Sequence, residues 1–221
     1  MYNAVKRNAA RLLLGGKVND ITRWALAARS AEVFARQKRR VNDRFELYEL
    51  VSKELIQGRP FDYLEFGVFQ GESIRKVSAL NPNPQCRFVG FDSFEGLPQD
   101  WNAEKKKGAF NVDGRTPQID DPRVGFVKGW FDQSLPPFLL AYQPQDQLWI
   151  HIDADLYGSA LCVLTYLNRY IKAGTVVVFD EVEDLMHEFK ALCDFQDMSG
   201  KTLELYAATH DCRQAAFVCR D

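Results

Sequence analysis

The chain has 221 residues, 46% hydrophobic and 26% charged, with 16 Phe, 8 Tyr and 4 Trp. That composition suits one domain with a full core and excludes a disordered chain. The net charge of −2 hides a division: residues 1–45 hold 11 Lys+Arg against 3 Asp+Glu, and the rest hold 17 against 27. A basic head therefore precedes an acidic body.

The head is read either as a solvated helical face or as a contact for an anionic partner, a membrane surface or a second subunit of a homo-oligomer. The run Arg36–Arg40 is its densest part. The five cysteines, Cys86, Cys162, Cys193, Cys212 and Cys219, lack the spacing of a zinc site or a CxxC pair, and reduced thiols are expected. No stretch approaches the roughly 20 apolar residues of a membrane span. Lys6, Arg7, Arg11 and Lys17 interrupt any signal-peptide pattern. A cytoplasmic protein without a transmembrane segment is expected.

In chain order, residues 1–57 read as helices, with Gly15-Gly16 separating a first basic helix from a second. From Phe61 short apolar runs alternate with helical segments. Strands are predicted at 61–66, 87–91, 124–128, 147–153 and 175–179, with helices at 71–80, 159–171 and 185–195. Residues 93–121 form a polar excursion rich in Gly and Pro. Two further strands, 202–208 and 215–219, flank a turn and read as a hairpin. The expected fold class is α/β: a doubly wound, mainly parallel seven-stranded sheet with its last strand antiparallel, preceded by an N-terminal helical extension. The boundary is drawn between 1–57 and 58–221.

Ligands of such sheets lie beyond the carboxyl ends of the strands, here marked by Glu65, Asp92, Gly129, Asp153 and Asp180. The first loop, Glu65 to Gly71, follows an E-x-G-x-x-x-G pattern. A dinucleotide loop would need glycine where Phe69 stands, so a pyrophosphate is disfavoured. Asp92 follows Gly71 by 21 residues, the spacing at which a carboxylate accepts the two hydroxyls of a ribose. S-adenosylmethionine meets these constraints: it has a ribose and an adenine, no phosphate, and two positive charges suited to an acid-lined cleft.

The segments Tyr63–Ser73 (YLEFGVFQGES), Gly90–Pro98 (GFDSFEGLP), Val127–Phe131 (VKGWF), Ile150–Tyr157 (IHIDADLY) and Gly174–Glu181 (GTVVVFDE) resemble the class I methyltransferases. More narrowly they resemble the macrocin O-methyltransferase family, whose members methylate sugar hydroxyls of antibiotics. The resemblance spans about residues 60–220 and implies a Rossmann-like fold. It implies that Glu65, Gly67, Phe69, Gly71 and Ser73 surround the methionine end of the cofactor, with Asp153 near them. Asp92 and Ser93 would take the ribose side, and Gly129 and Trp130 the adenine.

Asp153, Asp155, Asp180 and Glu181 follow what should be neighbouring strands. Carboxylates with water and substrate oxygens suit Mg²⁺. Metal-dependent relatives resemble the chain at Asp153 and Asp180, with Glu181 at the third position in place of the usual Asp or Asn. Asp155 is the expected general base from its place in the Asp-Ala-Asp run, and His187 a second catalytic candidate on a helix overhanging the cleft. His151 reads as a structural or supporting histidine, and His210 as solvated.

The leading function is methyl transfer from S-adenosylmethionine to a hydroxyl of a small-molecule acceptor, such as a sugar or glycoside, assisted by Mg²⁺. An N-methyltransferase acting on an amine and a non-catalytic cofactor-binding module are the alternatives. Nucleic acid is not expected as a partner, because the body is acidic and the basic stretch lacks interleaved aromatics.

Overall fold

The computed structural model describes residues 2–35, 37 and 39–221, with side chains from Asn19 onward. Helix α1 (Tyr2–Ala35) leads into strand β1 (Arg40–Val41) and helix α2 (Arg44–Val51), which continues as a π-helical turn over Ser52–Ile56. The body follows as β2 (Phe61–Phe66), α3 (Glu72–Leu80), β3 (Arg87–Asp92), β4 (Val124–Lys128), α4 (Phe131–Ala141) and β5 (Gln147–Ile152). It ends with α5 (Tyr157–Leu167), β6 (Val176–Phe179), α6 (Glu188–Ser199), β7 (Leu203–Thr209) and β8 (Ala215–Cys219).

The strands form one sheet in the order β1-β7-β8-β6-β5-β2-β3-β4. All neighbours are parallel except where β8 pairs with β6 and β7, so the last strand is antiparallel as expected. The sheet has eight strands rather than seven. The extra one is β1, a two-residue strand within the stretch read as helical, too short to leave a periodic signal. The chain runs outward from β2 through β3 to β4, then returns to β5 on the other side of β2. That reversal opens a crevice at the carboxyl ends of β2 and β5.

Side-chain alternation along the strands divides the core between the two faces. Leu64, Phe66, Ile150, Ile152, Val177 and Phe179 pack under α1, α4, α5 and α6. Phe61, Tyr63, Trp149, Val176 and Val178 pack under α2 and α3. Near-continuous apolar strands such as Val176–Phe179 are what a sheet covered on both faces requires.

Two helices depart from expectation. Helix α1 continues through Gly15-Gly16, since an interior glycine costs only about 1 kcal/mol relative to alanine. Helix α4 is an addition, in a stretch given no element from the sequence, and Pro136 and Pro137 lie inside it. The boundary drawn at residue 57 is no break in the packing, because Leu47, Tyr48 and Val51 of α2 are fully buried against the sheet.

The basic head is partly bound to the body. Arg29 forks onto Asp197 at 2.8 and 2.9 Å, Arg39 pairs with Glu54 and lies over Tyr206, and Arg40 donates to Thr209 O. Arg36 and Lys38 of the basic run lie outside the described residues.

Beyond β2 the backbone of Gly67 passes against β5. A Cβ there would stand 1.8 Å from the Asp153 carbonyl oxygen, and φ is +94°. Strain and overpacking together predict that Gly67→Ala lowers unfolding free energy by roughly 2–4 kcal/mol in urea titration. A change below about 0.5 kcal/mol would contradict this close approach.

Candidate active site

A cleft of about 840 Å³ opens over the carboxyl ends of β2, β3, β5 and β6. It is large enough for a nucleoside-sized ligand and a second small molecule together. One wall carries Gly67, Phe69, Asp92, Ser93, Gly129 and Trp130, the other Asp153, Asp155, Asp180 and Glu181. The excursion 93–121 folds over it, bringing Leu97, Trp101, Lys105 and Phe110 to the rim. Trp101 Nε1 donates to Asp184 Oδ2 at 3.1 Å, which ties the excursion to the segment before α6.

Asp92 organises the first wall. Its Oδ2 accepts the Val68 and Phe69 N–H groups at 2.8 and 2.9 Å, and its Oδ1 accepts that of Phe94 at 2.7 Å. One carboxylate thus holds two loops, with acceptor capacity left over for a ligand. Phe69 is held at φ +50°, 38% exposed, edge-on to Phe110 with ring centroids 5.6 Å apart. Gly129 N–H donates to the Asp92 carbonyl, and Trp130 begins α4.

Not every residue expected on this wall faces the cleft. Glu65 is buried beneath it, accepting from Tyr63 Oη. Gly71 caps α3 against Pro117. Ser73 opens instead on a side cavity of about 300 Å³, which shares Arg44, Phe69 and Asp153 with the main cleft.

The acidic wall is crowded. Burial, then Asp180, Glu181 and Asp155, push the Asp153 carboxyl well above the ordinary carboxylate range. Burial and the charge of Asp180 raise Asp155 to about 7, with Arg213 opposing. Burial and Asp180 raise Glu181 to about 8. Glu188, fully buried, accepts the backbone N–H groups of Ala154 and Glu181, each at 3.0 Å, and so ties the two acidic loops together.

His151 lies under this wall with no exposure. Its Nδ1 is 2.7 Å from Tyr63 Oη and 3.6 Å from Glu65, and its Nε2 is 3.7 Å from Asp180. Burial opposes its charge, but the interactions with Asp180 and Glu65 prevail and raise its pKa to about 9. For Asp180 burial likewise works upward, and His151 overrides it and lowers the value.

The set able to hold a cation differs from the expected one. Asp153, Asp155 and Glu181 each place a carboxylate oxygen within 4.8 Å of the others. Asp180 is not in that group: its Oδ1 faces Tyr48 and His151, and its Oδ2 accepts from Gln214 at 3.2 Å. Asp155 takes its place through a left-handed backbone at φ +58°. Glu181 Oε1 accepts from Arg213 at 3.0 Å, whereas Oε2 is buried without a partner. An orphaned carboxylate oxygen among crowded acids fits a hard cation such as Mg²⁺.

His187 was expected over the cleft and is not among the residues lining it. It stands at the start of α6, and its Nδ1 accepts the Tyr157 N–H at 3.2 Å. Arg44, Tyr48, Glu188 and Arg213 were not anticipated. Their convergence is tertiary, and only the Arg44–Tyr48 spacing on one helix was a visible signal.

With this geometry in place, the relatives are informative. The model of the macrocin-O-methyltransferase (TylF) family matches residues 33–212. The chain belongs to that family. It is thereby an O-methyltransferase. Similar solved structures are NovP, an O-methyltransferase (22% identity, TM-score 0.65, 80% of each chain), and CalS11, a calicheamicin methyltransferase (24%, 0.60, 80% of each). A third, cmcI with Mg and SAM, is 14% identical with a TM-score of 0.55 over 80% of this chain and 72% of the other. At these identities the likeness concerns the fold. None of the curated proteins matches the chain. Among the described residues no helix is long and apolar enough to cross a membrane.

The raised acids of this methyltransferase set the sign of its pH response. Unfolded, Asp and Glu ionise near about 4. Between pH 5 and 8 the folded chain retains protons on Asp155 and Glu181 that the unfolded chain has lost, so stability falls as pH rises. His151 acts in the same direction, stabilising below the unfolded histidine value near 6.5 and losing that contribution as pH rises through about 9. Thermal melts should therefore show Tm falling from pH 5 to 8, with a shallower fall in Asp155→Asn. A Tm that rises over this window would contradict the buried acidic wall.

Proposed function

We propose that the cleft binds S-adenosylmethionine along the Asp92 wall and a small-molecule hydroxyl, that of a sugar or glycoside, against the acidic wall. The observation that carries this reading is that the Asp153–Asp155–Glu181 carboxylates line the same cleft as the Asp92-held loops. The cofactor's ribose would face Asp92 and its adenine Gly129 and Trp130, with the sulfonium turned toward Asp153. The sugar acceptor is favoured by the family and by CalS11, which is described as a TDP-rhamnose 3′-O-methyltransferase.

Transfer is an in-line displacement. The acceptor oxygen forms a bond to the methyl carbon as the carbon–sulfur bond breaks, and that electron pair returns to sulfur as a neutral thioether. The hydroxyl proton passes to Asp155. A base with a pKa near the working pH balances availability against proton affinity, and such assistance contributes about 10²–10⁴-fold. Holding donor and acceptor in line contributes much of the rest. Asp153, Asp155 and Glu181 would hold Mg²⁺, which when bound supplies Lewis-acid polarisation of the acceptor oxygen. A bound cation would lower the Asp155 pKa together with that of the hydroxyl, so Asp155 serves as the base in the metal-free site and as a ligand when Mg²⁺ is held. Arg213 holds Glu181 in place, and the excursion bearing Trp101 and Phe110 excludes water from the reacting atoms.

Calorimetry should show S-adenosylmethionine binding that weakens at least about tenfold in Asp92→Ala, which removes the acceptor of three backbone N–H groups as well as the ribose contact. No binding by the wild type, or unchanged binding by the variant, would remove the basis of this reading. With a sugar acceptor, Asp155→Asn should lower kcat by about 10²–10⁴-fold while cofactor binding persists. An unaltered kcat would exclude Asp155 as the base.

A further inference from the structure

The side cavity next to the cleft has an unusual distribution of charge. It is lined by Arg44, Val68, Phe69, Gln70, Glu72, Ser73, Arg75 and Asp153, and it meets the main cleft at Arg44, Phe69 and Asp153. Arg75 is engaged with the backbone, donating to the Gly71 and Gln118 carbonyls. Arg44 is different. Its Nη2 is bonded to the exposed Glu72, and among the described residues no other acceptor takes its remaining N–H groups. Its side chain is 29% exposed. Nearby Tyr48, Asp180, Glu72 and Asp153 favour its charge, outweighing the cost of burial. The start of α3 beside it carries no side-chain cap, so backbone N–H groups add to the positive side.

Arg44 is well anchored. Asp43 caps α2, accepting the Phe45 and Glu46 N–H groups at 2.9 Å each, and Tyr48, one turn on, is fully buried beside Ser73, His151 and Asp180. The cavity thus has a cationic side, Arg44 with the start of α3, and an acidic side at Asp153, whose carboxyl is held toward its neutral form by burial and neighbouring acids until a cation faces it. A ligand group with one negative and one positive end complements it; a simple anion would meet Asp153, and a simple cation would meet Arg44.

We propose that Arg44 binds the α-carboxylate of the cofactor's methionyl end in this side cavity, while the α-ammonium faces Asp153. The inference rests on the S-adenosylmethionine reading above and adds a recognition residue from α2, outside the motifs that mark the cofactor fold. The guanidinium fork suits a carboxylate, which it can take with two N–H groups. Arg44 also accounts for how a cleft dominated by acids accepts a ligand carrying a carboxylate.

The test compares S-adenosylmethionine with its decarboxylated analogue, which keeps the sulfonium and the ammonium but lacks the carboxylate. Calorimetry is run on the full chain with wild type, Arg44→Ala and Arg44→Lys. In Arg44→Ala, S-adenosylmethionine should bind about 10–100-fold more weakly. The analogue should bind unchanged or more tightly, because a neighbouring cation has been removed from a doubly positive ligand. Arg44→Lys keeps the charge without the fork and should lose affinity for S-adenosylmethionine alone, by less than Arg44→Ala. Equal losses for both ligands, or no loss for either, would overturn the proposal while leaving the cofactor reading in place. Failure of the wild type to bind either ligand would overturn the cofactor reading, and this proposal with it.

Discussion

Too many carboxylates meet at the ends of two adjacent strands. Asp153 and Asp155 follow β5, Asp180 and Glu181 follow β6, and Glu188 of α6 is inserted among them. Two like charges about 4 Å apart repel by about 4 kcal/mol at an effective dielectric constant near 20, so this group cannot be fully ionised without compensation. Each acid is handled differently. His151 takes Asp180 and Glu65 as a buried ion-pair cluster. Arg213 takes one oxygen of Glu181, and Glu188 is bonded to backbone N–H groups. Asp153, Asp155 and the buried, unpartnered oxygen of Glu181 remain, grouped at the wall of the cleft and short of positive charge. The proposed methyl transfer from a sulfonium, with proton release from a hydroxyl, would supply positive charge at that place.

The scaffold makes this crowding possible through close backbone contact. Gly67 lets the end of β2 pass against the Asp153 carbonyl, and Asp153 N–H bonds back to Phe66. Asp92 then draws the loop after β2 onto β3. The two walls are thereby fixed by neighbouring parallel strands rather than by independent loops. From the other face, α2 carries Tyr48 to His151 and Arg44 to the side cavity, so the segment before the recognised motifs helps to build the site.

The strand ends were legible in the sequence because runs such as Val176–Phe179 are apolar throughout and stop at an acid. Strand polarity and the antiparallel β8 followed from the alternation with helices and the closing hairpin. Other elements were hidden for local reasons: β1 is two residues long, and α4 contains Pro136-Pro137. The exchange of Asp180 for Asp155 in the carboxylate trio could not be read from spacing. It depends on the left-handed backbone of Asp155 and on a histidine beneath Asp180. The basic head is another example. Its charge was visible, whereas Arg29, Arg39, Arg40 and Arg44 turn out to grip Asp197, Glu54, Thr209 and Glu72 of this same chain.

The most direct measurement is a crystal structure with sinefungin, in which an amine-bearing carbon replaces the sulfonium and marks the position of the transferable methyl. The expected result is a ribose on Asp92 and the amine directed at the Asp153–Asp155–Glu181 group, leaving room for one acceptor oxygen about 3–3.5 Å from the transferred carbon. A ribose held elsewhere, or an amine turned away from those three carboxylates, would contradict the assignment of the acidic wall to the acceptor.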